Sequence, residues 1–119
     1  MKLQSPTDAA TPGARVLRLP NDADVRHVAL DQIDEIELNF PRFTDGRAYS
    51  QAIWLRQQRQ WHGVLRATGE VLVDQLLAMQ RCGFSHAQLA PGQSLQVGQR
   101  LLARPLPTYP RRTTDALAA

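Results

Sequence analysis

Residues 35–69 read Glu35-Ile-Glu-Leu-Asn-Phe-Pro-Arg-Phe-Thr-Asp-Gly-Arg-Ala-Tyr-Ser-Gln-Ala-Ile-Trp-Leu-Arg-Gln-Gln-Arg-Gln-Trp-His-Gly-Val-Leu-Arg-Ala-Thr-Gly69. Glu35 to Phe40 alternates with period two and stops at Pro41, as a strand does. From about 46 to 61 the period becomes helical: Ala48, Ala52 and Leu55 share a stripe, Tyr49 and Ile53 flank it, and Arg56 and Arg59 lie to the side. Thr44 or Asp45 suits the N-cap, and Gly63 is placed to end the helix in the left-handed conformation. Val64 to Ala67 is then short and nearly continuous in apolar character, which suits a parallel strand buried on both faces. A strand, a helix and a strand in succession make an α/β unit.

The unit repeats outward. Arg15 to Leu19 is a short strand stopped by Pro20, and Val25 to Leu30 reads either as a short strand or as an irregular connection. Glu70 to Cys82 is a helix with Leu72, Leu76 and Met79 inward. Gly83 is at its C′ position, and Phe84 is placed to pack on Met79. Ala87 to Leu89 is a strand closed by Pro91-Gly92. Ser94 to Ala103 is a weaker helix, because Gly98 costs about 1 kcal/mol relative to alanine. The fold class is therefore α/β: a small, mostly parallel sheet of successive βα units, partial-barrel or three-layer-like. Right-handed crossovers between strands in sequence order put every helix on one face. The other face is then expected to be bare and apolar, which argues for a homodimer or larger homo-oligomer.

A chain of 119 residues, 43% apolar and 21% charged, has room for one globular domain. Residues 1–13 read as a flexible N-terminal arm, 14–103 as the single domain, and 104–119, with Pro105, Pro107, Pro110 and Arg111-Arg112, as a flexible tail. No run of 18 apolar residues and no signal-like start is present, so a cytoplasmic protein without a membrane partner is expected. Lys2 is the only lysine, so nearly all positive charge is arginine, which favours fixed contacts to carboxylates or oxyanions. No basic stripe interleaved with aromatics points to nucleic acid. Cys82 is the only cysteine, His27, His62 and His86 lack metal-ligand spacing, and the glycine fingerprints of dinucleotide sites and P-loops are missing. No metal or cofactor is expected.

Strand carboxyl ends and the helix amino termini beyond them form the ligand-binding rim of a parallel sheet. Asp45, Gly46, Arg47, Ser50 and Arg66 are the candidates there, with Asp74 and Gln75 at the next helix start. Asp45 can equally serve as a cap and Arg47 as its ion-pair partner, and Ser50 can be a small packing residue. Arg66 lies in an apolar strand, where an unpaired guanidinium is costly. Asp45 or Asp74 is its expected partner. Cys82 reads as a buried small residue, and Trp54 and Trp61 as packing.

Phe40-Pro-Arg-Phe-Thr-Asp-Gly-Arg47, Tyr49-Ser50, Leu55-Arg56, Leu65-Arg-Ala67, Gly69, Asp74-Gln75 and Arg81-Cys-Gly-Phe84 resemble the pattern of a bacterial family of uncharacterised proteins. That family is described as probable oxidoreductases involved in sulfite reduction, with genes beside those of sulfite reductase. The resemblance covers about residues 15–103. It implies Asp45, Gly46, Arg47, Ser50, Arg66, Gly69, Asp74 and Gln75 as candidate functional positions. Ala48, Thr68 and Val73 depart from the family's pattern. Six-electron reduction is carried by siroheme, iron–sulfur clusters or flavins, for which this chain has no recognisable motif. The resemblance thus implies an accessory role beside sulfite reductase, through an oxyanion or the enzyme itself. The alternatives are an oxidoreductase using an external cofactor, and a non-catalytic interaction protein.

Overall fold

The computed structural model describes residues 1–8 and 11–103. Strands β1 (Lys2–Gln4), β2 (Val16–Leu19), β3 (Glu35–Phe40), β4 (Val64–Gly69) and β5 (His86–Gln88) form one parallel sheet in the order β1-β5-β4-β3-β2. Helix α1 (Arg47–Gln57) joins β3 to β4. A 3-10 turn (Val73–Gln75) and α2 (Leu76–Cys82) join β4 to β5, and α3 (Leu95–Ala103) follows. The α/β class and parallel sheet agree with the sequence reading. Ala48, Ala52 and Leu55 of α1 and Leu76 and Met79 of α2 pack on Ile36, Leu38, Leu65, Ala67 and Ala87 in one core. Successive helices also touch one another, so all lie on one sheet face.

Several boundaries differ from expectation. Residues 1–13 are not simply a mobile arm, because Lys2–Gln4 pairs with His86–Gln88 and completes the sheet. Three residues carry too little periodicity to announce a strand; the neighbour β5 supplies its partners. Residues 25–30 take the irregular form, with Val25 in the core and Arg59 donating to the carbonyls of Val25 and Val28 at 2.8 and 2.9 Å. Helix α1 ends before Gly63, and Gln60, not Gly63, takes the left-handed conformation. A side chain at Gly63 would strike the Trp61 ring and the Asp34 carbonyl.

The helix expected from Glu70 begins only at Leu76, after the 3-10 turn. Residues 70–72 are held instead by the strand ends: Glu70 N–H donates to the Phe40 carbonyl at 2.7 Å, and Leu72 is extended. The other end of α2 behaves as read. Gly83 is left-handed at φ 108°, and Phe84 N–H donates to the Met79 carbonyl at 3.1 Å. Gly98 does not interrupt α3. It is buried, and a side chain there would press on Leu3 and Leu76, so it sets how closely the helix approaches β1. The 104–119 tail lies outside the described residues.

The face away from the helices is polar, not apolar. The residues alternating with the core are Val16 and Arg18 on β2, Glu35, Glu37 and Asn39 on β3, Val64, Arg66 and Thr68 on β4, His86 and Gln88 on β5, and Lys2 and Gln4 on β1, so only two valines interrupt its polar character. The register aligns Arg18, Glu37, Arg66, His86 and Lys2 in one row across all five strands. β1 and β2 occupy opposite edges of the sheet, and the residues that follow β1 turn over this face. Gln88 Nε2 accordingly donates to the carbonyls of Pro6 at 3.0 Å and Asp8 at 2.8 Å. The apolar-face argument for self-association therefore lapses.

Candidate functional site

A cleft of about 620 Å³ opens where β3, β4 and β5 end, the edge at which parallel sheets bind ligands. Asn39, Phe40 and Pro41 come from the end of β3, Gly69, Glu70 and Leu72 from the end of β4, and Ala90 and Pro91 from beyond β5. Phe43 forms a further wall and is 45% exposed. Its backbone is held at both groups: Phe43 N–H donates to Glu70 Oε1 at 2.9 Å, and Gln75 Nε2 donates to the Phe43 carbonyl at 2.7 Å. Gly69 has φ 93°, and a side chain there would collide with the Phe40 carbonyl oxygen. Only glycine lets the two strand ends approach in this way. Asn39 also lines a groove of about 360 Å³ on the polar face, with Arg18, Glu37 and Thr68.

Of the sequence-derived candidates, Gly69 lines the cleft and Gln75 fixes one of its walls. Gln75 Oε1 is buried and lacks a hydrogen-bond partner among the described residues. Asp74 is exposed in the 3-10 turn. Asp45 and Arg47 pair with each other at 2.8 Å at the start of α1, and Asn21 donates to the same Asp45 carboxylate at 2.5 Å. Gly46 is the N-cap without a side-chain cap, while Asp45 Oδ1 accepts the Arg47 N–H at 3.0 Å. Hydrogen bonds from the Arg47 side chain and backbone lower the Asp45 pKa to about 2, so the pair stays charged at ordinary pH. Ser50 is exposed and not a packing residue.

Arg66 does not join this group. It points to the polar face, opposite the helices, and its partner is neither Asp45 nor Asp74. Nη1 lies 2.7 Å from Glu35 Oε1 and 3.4 Å from Glu37 Oε2, and Nε donates to Gln4 Oε1 at 2.5 Å. Arg66 and Glu35 are each only 3% exposed. Burial raises the Glu35 pKa, but hydrogen bonds from Thr11 and Arg66 and the nearby charge outweigh it, and the carboxyl sits below its ordinary value. Burial, with Arg66 and Lys2 nearby, pushes His86 down. Its Nδ1 is 2.8 Å from the Ser85 hydroxyl. This is a structural charge network under the chain crossing.

Residues 16–118 match a family described as a bacterial protein of unknown function, DUF934. The chain belongs to the DUF934 family. No curated protein and no solved structure matches it.

Among the described residues of this DUF934 chain, most arginines answer to internal partners. Arg26 is bound by Asp24 and Arg18 by Glu37. Arg56 donates to the carbonyls of Gly83, Trp61 and Gly63 at 2.8, 2.9 and 2.8 Å. Among the described residues no arginine lines the strand-end cleft, and Glu70 is the charged residue there. Burial raises the Cys82 thiol above its ordinary value, so it is protonated at neutral pH and is no activated nucleophile. No cluster of three or more potential metal ligands occurs among the described residues, and none of their helices is long and apolar enough to cross a membrane. Sequence reasoning missed Asn39, Phe43, Glu70 and Pro91. The available signal was the prolines closing two strands, Pro41 and Pro91, which mark where the rim lies.

Proposed function

We propose that this chain is an accessory protein of assimilatory sulfite reduction that supports sulfite reductase through a contact at the strand-end cleft. The likeness of its motifs to a family described in those terms supplies the pathway. The single observation that favours a partner over an anion is the cleft wall: exposed Phe43 with Pro41, Leu72 and Pro91, and a carboxylate as its charged member. An anion would meet Glu70 there, whereas an apolar anchor from a partner would displace water from the aromatic and proline surfaces. A cytoplasmic location belongs to the same reading. The oxyanion form of the role would use Arg47 at the start of α1, in competition with Asp45. Self-association would have to use a surface other than the charged sheet face.

The test is capture of sulfite reductase by the purified full chain. Wild type is expected to retain it, and Phe43→Asp to weaken retention roughly tenfold or more without altering the fold, as befits loss of an aromatic anchor. Absence of capture by wild type rejects the partner role. Calorimetric titration with sulfite, sulfate and phosphate reports on the oxyanion form. Deleting the gene and comparing growth on sulfate with growth on cysteine tests the pathway itself.

The second reading is a direct oxidoreductase, which would need the same cleft to hold a small molecule. The cleft volume, about 620 Å³, falls within the roughly 300–1,000 Å³ range of small-molecule sites. A flavin spectrum in the purified protein, or sulfite-dependent oxidation of a reduced nicotinamide that Phe43→Asp abolishes, would establish it.

A further inference from the structure

Asn39 belongs to two surfaces at once. On one side it lines the strand-end cleft, and on the other the groove of about 360 Å³ that Arg18, Leu19, Pro20, Glu37 and Thr68 complete on the polar face. It is therefore the crest between an apolar basin and a polar channel. Gly69 leaves that crest uncovered: a side chain there would press on Asn39 Oδ1 as well as on the Phe40 carbonyl. A carboxamide offers two donors and an acceptor, the functions that match the carbonyls and N–H groups of an extended backbone. Thr68, its register neighbour on β4, has its hydroxyl 3.5 Å from the Leu38 carbonyl, too long a contact to satisfy it.

Charge narrows what an occupant carries. Glu70 is the charged residue among the described lining of the cleft, and its Oε1 accepts the Phe43 N–H at 2.9 Å. Its second oxygen, Oε2, is left for a donor from outside. The same hydrogen bond fixes Glu70 beside Phe43. A cation held at Oε2 and an apolar side chain laid on Phe43, Pro41 and Pro91 would then be neighbours in one segment. An acidic occupant would instead meet Glu70 as a like charge, which is costly at an interface.

On the partner role given above rests a narrower assignment: we propose that the cleft takes an extended segment of a partner protein in which an apolar and a basic residue stand side by side. The apolar side chain covers Phe43, Pro41 and Pro91, and the basic one meets Glu70 Oε2. Asn39 bonds the segment's backbone as it passes into the polar groove. Phe43 is prepared for this, because both of its backbone groups are already held, the N–H by Glu70 and the carbonyl by Gln75. A wall fixed in advance loses little freedom on binding.

Titration of the full chain with two blocked hexapeptides, read by NMR at the Phe43 and Gly69 amides, tests the proposal. One peptide has leucine and arginine at its centre and glycine elsewhere; the other has glutamate in place of the arginine. The arginine peptide is expected to shift both amides and to bind about tenfold or more tightly than the glutamate peptide. Glu70→Gln keeps an oxygen for the Phe43 N–H but removes the charge, and should weaken the arginine peptide about tenfold. Asn39→Ala should weaken it about threefold. The Leu38 amide, in the sheet centre, reports the fold and should stay in place throughout. No shift with the arginine peptide, or equal affinity for the two, overturns the proposal, as does indifference to Glu70→Gln or to Asn39→Ala. Shifts that follow protein concentration alone would assign the cleft to a second copy and overturn it too. Capture of sulfite reductase is a separate readout. Its failure beside intact peptide selectivity removes the reductase as the partner and leaves the recognition chemistry standing.

Discussion

At the scale of single residues, Arg66 shows how a charge in an apolar-looking strand is resolved. Its neighbours Leu65 and Ala67 are in the core, while its own side chain faces Glu35, Glu37 and Gln4 on the other side of the sheet. Replacing it by methionine leaves Glu35 buried without its counter-charge, at an expected cost of about 3–5 kcal/mol. The pH dependence should change as well. In the native chain the Glu35 pKa is depressed, so its contribution is fully present above the ordinary carboxylate range and is lost as pH falls through the folded value. In Arg66→Met the burial that raises that pKa is no longer opposed by Arg66. Acidification from pH 7 toward 5 should then stabilise the variant relative to wild type. Urea midpoints at the two pH values decide this.

At the scale of elements, one side chain ties three connections together. Arg56 leaves the last turn of α1, reaches the Trp61 and Gly63 carbonyls in the loop before β4, and meets the Gly83 carbonyl at the end of α2. Its guanidinium also lies 5.7 Å from the Trp61 ring centroid. Lysine keeps the charge but cannot present a planar fork to three separate acceptors. Arg56→Lys is therefore expected to lose about 2–3 kcal/mol, most of the effect of Arg56→Ala, in chemical denaturation. Full recovery by lysine would show that charge alone matters. The sequence placed Arg56 at the side of its helix and gave no sign of this task, because all its acceptors are backbone atoms, which carry no residue-type signal.

At the scale of the whole molecule, β1 closes a sheet whose remaining strands follow sequence order. Removing residues 1–4 strips β5 of a partner, takes Gln4 from Arg66, and uncovers the α3 surface that Gly98 shapes against Leu3. A half-buried leucine and a charged hydrogen bond together suggest a loss of about 3 kcal/mol. An equilibrium unfolding curve unchanged by the deletion would return the segment to the status of a loose arm. The βα succession from Glu35 to Ala103, its core stripes and the Gly83 stop were legible because each depends on local period and on residues that favour one backbone conformation. The strand-end rim was legible too, since prolines and glycines mark where strands stop. The strand at residues 2–4, the polar identity of the open face, the pairing of Arg66 with Glu35, and the separation of Arg66 from Asp45 and Arg47 were fixed only by the fold. Each depends on which strands become neighbours and which way a side chain turns, and those are set by contacts between residues far apart in the chain.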